Sequence, residues 1–160
     1  PTVPADGIVA NVNMDMPVMM TELTDVIPFG VHHSSLQHVL ERAAREVGVT
    51  LSPDPLPEES IFVRSDQYAF VRKGIPAVYL DAGIKARSPD VDALALYTDF
   101  LTGHYHQPSD ETGLPLHYPS AARLAQLNAA IGRRVGDADA RPAWKPGDFF
   151  GETFGKQAAP

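Results

Sequence analysis

Two short apolar runs do most to limit what this chain can fold into. Residues 7–14 (Gly-Ile-Val-Ala-Asn-Val-Asn-Met) and 76–80 (Pro-Ala-Val-Tyr-Leu) are too short for buried helices, so each reads as a buried strand. Between and after them the period changes. Ser34 is expected to open a helix, with Gln37 completing a capping box. Leu36, Val39, Leu40, Ala43 and Val47 recur at helical spacing, and Gly48 stops that helix. A short strand covers 49–51, and Asp66 is placed to cap a short helix ending near Gly74. Further helices are expected over 91–101 and 120–135, the second with Leu124, Leu127, Ile131 and Val135 on one face. Residues 16–33 and the proline-rich 52–59 read as loops.

Strands alternating with helices imply an α/β domain with a largely parallel or mixed sheet. Residues 1–140 would form that domain. In residues 141–160, prolines and glycines interleave with Trp144, Phe149, Phe150 and Phe154, which reads as an extended tail packed back on it. A hydrophobic content of 44% against 21% charge supports a packed core rather than a disordered chain. The net charge of -7 argues against nucleic acid or an anionic membrane as the main partner. No stretch approaches the roughly 20 apolar residues of a membrane span. Cysteine is absent, which removes disulfides, thiolate ligands and thiol nucleophiles. Any metal would have to be held by histidine and carboxylate.

Two runs offer such groups. Residues 13–16 (Asn-Met-Asp-Met) put Asp15 at the carboxyl end of a strand, where ligands of α/β sheets gather. A carboxylate there is a metal ligand or a cap for the next turn. Residues 105–110 (Tyr-His-Gln-Pro-Ser-Asp) supply His106, with Asp110 four residues on. Asp110 could fix the imidazole tautomer of His106, or could cap a turn. Each run supplies one good ligand, whereas a catalytic zinc takes about three and an open position.

Between these runs stand 65–70 (Ser-Asp-Gln-Tyr-Ala-Phe) and 74–77 (Gly-Ile-Pro-Ala). In this order and spacing the motifs resemble the co-catalytic zinc aminopeptidase family, which includes bacterial leucyl aminopeptidases and glutamate carboxypeptidase-like enzymes. The resemblance implies a three-layer α/β/α zinc-exopeptidase domain (phosphorylase/hydrolase-like) with a mixed sheet. It also implies a pair of zinc ions, a peptide substrate and a periplasmic or secreted setting. Asp15 matches a ligand to one zinc and His106 a ligand to the other, and the two are expected close together across the ends of neighbouring strands. Tyr105 stands where some members place a hydroxyl that meets the tetrahedral intermediate, although packing explains it equally well. Asp66 matches a carboxylate near the site, or caps its helix. Gln67 stands where many members carry histidine.

The same resemblance shows what these residues lack. The family's His-x-Asp, its bridging aspartate and its Glu-Glu pair are expected before the Asn-x-Asp-Met strand, and no residue preceding Asp15 can fill those roles. Glu58-Glu59 comes after the strand and reads as solvated loop, and His32, His33 and His104 read as surface or structural. The chain is therefore expected to be the C-terminal portion of a zinc aminopeptidase, its N-terminal half missing and no general base present. Such a chain would hold no tight zinc and be inactive in isolation. Two other readings stand beside it: a metal-free protein-binding module of the same fold, as in the transferrin receptor, and a domain that self-associates through an exposed sheet edge.

Overall fold

The computed structural model describes residues 3–155, so the outermost residues of the expected domain and tail, 1–2 and 156–160, lie outside it. Four strands form one mixed sheet: β1 (Asn11–Asn13), β2 (Asp25–Phe29), β3 (Thr50–Leu51) and β4 (Ala77–Ala82), in the order β1-β4-β2-β3. β1 runs parallel to β4, β2 runs antiparallel to β4, and β3 runs parallel to β2. β1 is thus an edge strand among the described residues. The helices are α1 (Leu36–Val47), α2 (Gln67–Val71), α3 (Ala93–Gly103), α4 (Tyr118–Gly136) and α5 (Phe149–Phe154). The α/β class and the mixed sheet expected from the sequence are present.

Alternation along the central strands divides the core in two. Val26, Val78, Leu80 and Ala82 face one side, where they join Leu36, Leu40 and Ala43 of α1 and Leu124, Leu127 and Ile131 of α4. Ile27, Phe29, Ala77 and Tyr79 face the other side and meet Phe62, Val71 of α2 and Phe150 of α5. Each large side chain removed from water in these clusters contributes roughly 1.5–3 kcal/mol. The sheet is therefore covered on both faces, giving three layers.

Four local expectations need correction. Residues 7–14 form a strand only over Asn11–Asn13, and Ala5–Gly7 is a 3-10 turn. The loop expected over 16–33 contains β2, the strand that fills the gap between β4 and β3. α1 begins at Leu36, with Ser35 as its N-cap, and no capping box forms. Ser34 is fully buried and pairs with Trp144 instead. Gln37 is drawn away to Glu41 and Lys145. At the other end, Gly48 adopts φ 75 and closes α1 as expected, a left-handed conformation that glycine enters without penalty. Lastly, part of the tail is helical: Asp148 caps α5 by accepting from the Phe150 and Gly151 amides at 3.0 and 3.2 Å.

Candidate active site

Because β1 and β4 are parallel, with Asn13 beside Tyr79, their carboxyl ends open on the same side of the sheet. Asp15 lies just past β1, exposed to solvent. Its Oδ2 accepts from the Ser65 hydroxyl at 3.0 Å, and its backbone oxygen accepts from the Tyr79 hydroxyl at 3.3 Å. Met16 follows with φ 48, so the chain turns sharply as it leaves the strand. The strand end is anchored from below. Gln67 is fully buried, accepts from Asn13 Nδ2 at 2.9 Å and donates to the Phe62 carbonyl at 2.7 Å. Its position in the aspartate-bearing 65–70 run is thus a structural one, joining α2 to the end of β1.

Above this end lies a cavity of about 470 Å³, lined by Asp15, Tyr79, Asp81, Tyr97 and Tyr105, with apolar wall from Ile27, Phe29, Leu94 and Leu101. β2 and β4 present these groups in register, Ile27 opposite Asp81 and Phe29 opposite Tyr79. α3 brings Leu94, Tyr97 and Leu101 to the same space, and the turn after it brings Tyr105. The Tyr105 amide bonds the Phe100 carbonyl at 3.0 Å, which fixes where that turn leaves the helix. His106 is not at a strand end, contrary to expectation. It sits in the turn after α3, exposed, with φ 59, and its ring stacks on Tyr105 with centroids 3.7 Å apart. The structure thus brings Asp15 and Tyr105 to one cavity and holds His106 against Tyr105.

The remaining sequence candidates are peripheral. Asp66 heads α2 but makes no side-chain capping bond, and it is exposed. Its neighbour Ser65 is the residue that reaches Asp15. Asp110 is exposed, and among the described residues only its amide is engaged, with the Gln107 carbonyl at 2.9 Å. No hydrogen bond joins it to His106 among the described residues. Glu58 and Glu59 lie on an exposed 3-10 turn, where Glu59 pairs with Arg64 at 2.7 Å. His33 is structural: its Nδ1 bonds Asp148 at 2.6 Å and its ring stacks on Phe62.

Among the described residues no group of three or more His, Asp or Glu side chains is close enough to share a metal ion. Asp15 and His106 offer one ligand each, so these residues do not by themselves fit a closed or catalytic zinc site.

Sequence reasoning passed over Asp81. It sits in a strand that is buried at every position and is itself only 5% exposed. Burial pushes its carboxyl up to about 7; the Ala82 amide and the Tyr97 and Tyr79 hydroxyls pull it partly back, and Asp15 adds to the rise. Burial likewise raises the Tyr79 and Tyr97 phenols, with Asp81 contributing, so both stay protonated donors at any ordinary pH. The available signal was an acid directly after the apolar run 76–80, where an unpaired charge is costly.

No helix among the described residues is long and apolar enough to cross a membrane. Neither a curated protein nor a solved structure matches the chain. The sequence pattern of peptidase family M28 matches residues 2–132, a stretch that takes in all four strands, the cavity and the turn bearing Tyr105 and His106. The chain belongs to peptidase family M28, a family of metallopeptidases.

Proposed function

We propose that the chain is the C-terminal part of a zinc-dependent aminopeptidase that removes N-terminal residues from peptides, acting outside the cytoplasm. The observation that carries this reading is the convergence of Asp15 and Tyr105 on one cavity, with His106 packed on Tyr105. Backbone strain supports it. Three residues other than glycine adopt positive φ among the described ones, and two of them, Met16 and His106, lie within the two metal-ligand motifs. Such conformations cost about 1–3 kcal/mol each and persist where the surroundings demand them, often at functional sites.

In this reading Asp15 and His106 each contribute one zinc ligand, and the ligands and general base still needed come from polypeptide outside these 160 residues. Zinc would supply charge to polarise the scissile carbonyl. The chain's own residues position that reaction. Ser65 orients the Asp15 carboxylate, Tyr79 holds its backbone, and Tyr105 lines the cavity, where its hydroxyl would serve a developing oxyanion as a donor.

The test uses the full-length protein. Elemental analysis is expected to find about two zincs per molecule, as a co-catalytic pair requires. Asp15→Ala and His106→Ala should each abolish hydrolysis of aminoacyl-nitroanilides, and the 160-residue chain alone should show none. Full activity in both variants would sink the assignment.

A further inference from the structure

We propose that the cavity seats a cationic side chain of the substrate, lysine or arginine, and that Asp81 is the residue that recognises it. This rests on the peptidase reading for the ligand's being a peptide, but its physical basis is separate.

The cavity, at about 470 Å³, falls in the range of sites that enclose a residue-sized group. Its wall is apolar and aromatic where Ile27, Phe29, Leu94 and Leu101 face it. Such a wall suits the methylene stem of a long side chain. Its lining carries an acid, Asp81, that has no paired cation among the described residues. Asp81 Oδ1 accepts from the Ala82 amide at 2.7 Å, whereas Oδ2 has the Tyr97 hydroxyl at 3.4 Å, long for such a bond. An ionised carboxylate offers about four acceptor positions, so Asp81 has acceptor capacity unused.

Charge around the cavity points the same way. Apart from Asp15, whose charge the proposed zinc takes up, Asp54, Glu59 and Asp81 line it against one base among the described residues, Arg64, which is already paired with Glu59. Among the described residues no lysine, arginine or histidine forms an ion pair with Asp81. A buried acid without a counter-ion is a costly arrangement, and an entering ammonium or guanidinium relieves it. An aliphatic side chain would fill the same space and leave the carboxylate unanswered.

The same chemistry could be supplied by the α-ammonium of a peptide N-terminus, so the experiment separates the two. The full-length protein, stripped of metal with a chelator, is titrated by calorimetry with Nα-acetyl-lysinamide, Nα-acetyl-norleucinamide and leucinamide. Acetyl-lysinamide, whose α-amine is blocked, should bind on the order of tenfold more tightly than its uncharged norleucine counterpart, the scale of a charge-assisted hydrogen bond. Asp81→Asn keeps the volume and the acceptor for Ala82, and should reduce that preference to less than twofold while norleucine binding persists. Equal binding of the two acetylated probes, or binding of neither, overturns the proposal. So does a lysine preference that survives Asp81→Asn. Asp81-dependent binding of leucinamide alone would assign the carboxylate to the α-ammonium and overturn it as well. The wild-type comparison decides even if the variant fails to fold. No metal or turnover enters these measurements, so an inactive parent would refute the peptidase reading while leaving the lysine site standing.

Discussion

Asp81 couples the protein's stability to pH, because its carboxyl titrates at about 7 when folded and near the ordinary value of 3.8 when the chain is unfolded. Below 3.8 both states hold the proton. Between 3.8 and 7 the unfolded state gives it up first, so the folded state binds more protons and stability falls as pH rises. Above 7 the loss is complete and constant. Asp81→Asn removes the proton while keeping the shape. The variant should match wild type near pH 4 and exceed it by on the order of a few kcal/mol near pH 8. Urea unfolding of both proteins across that range checks this, and a difference independent of pH would contradict it. Asp15, Tyr105 and His106 could be named from motif order, since each motif is local in the chain. Asp81 could not, because its importance arises from the neighbours that bury it: Ile27 across the sheet and Tyr97 from α3. The role of Gln67 was hidden for the same reason, its partners being Asn13 and Phe62.

Helices were easier to read than strands. α1 and α4 carry their apolar stripes in sequence, and both exist near the expected bounds. Their mutual packing buries Leu127 completely, among Leu36, Leu40 and Ile131. Leu127→Ala should therefore cost about 2–5 kcal/mol, read as a lowered urea midpoint at unchanged slope. A loss below 0.5 kcal/mol, the scale of a surface change, would mean that the α1–α4 seam is misplaced. β2 escaped notice because Asp25 and Pro28 interrupt its apolar pattern. Both have physical explanations visible only in three dimensions. β3 reaches only Asp25 and Val26, so β2 has one strand neighbour at Pro28, a place that tolerates a residue without an amide hydrogen. Asp25 is buried because it accepts the Lys85 and Ile84 amides at 2.8 and 3.3 Å as the chain leaves β4. Gly83 makes that approach feasible, since a Cβ there would collide with Asp25.

At the scale of the molecule, the two faces of the sheet are covered in different ways. One is covered by α1 and α4, whose residues are long helices with their own periodicity. The other depends on the tail. Ser34 and Trp144 form a bridge, the Ser35 and Lys145 amides bond the Ala143 and His33 carbonyls, and Phe150 closes against Phe62 and Tyr68. The M28 match ends at residue 132, inside α4 and before any of these contacts. A chain cut after residue 140 should leave the aromatic cluster around Phe62 open to water. It should bind a hydrophobic dye and unfold at lower urea, whereas unchanged stability would show the tail to be dispensable.

Trp144 gives the seam an optical signature. It is the chain's only tryptophan, and its indole N–H is donated to the Gly74 carbonyl at 2.9 Å, far along the sequence from the tail. Emission excited at the indole band therefore originates from a single place, the join between tail and body. Detachment of the tail would shift that light to longer wavelength while the far-ultraviolet signal of α1 and α4 stayed constant. The molecule carries its own label for one event, placed where the chain closes on itself.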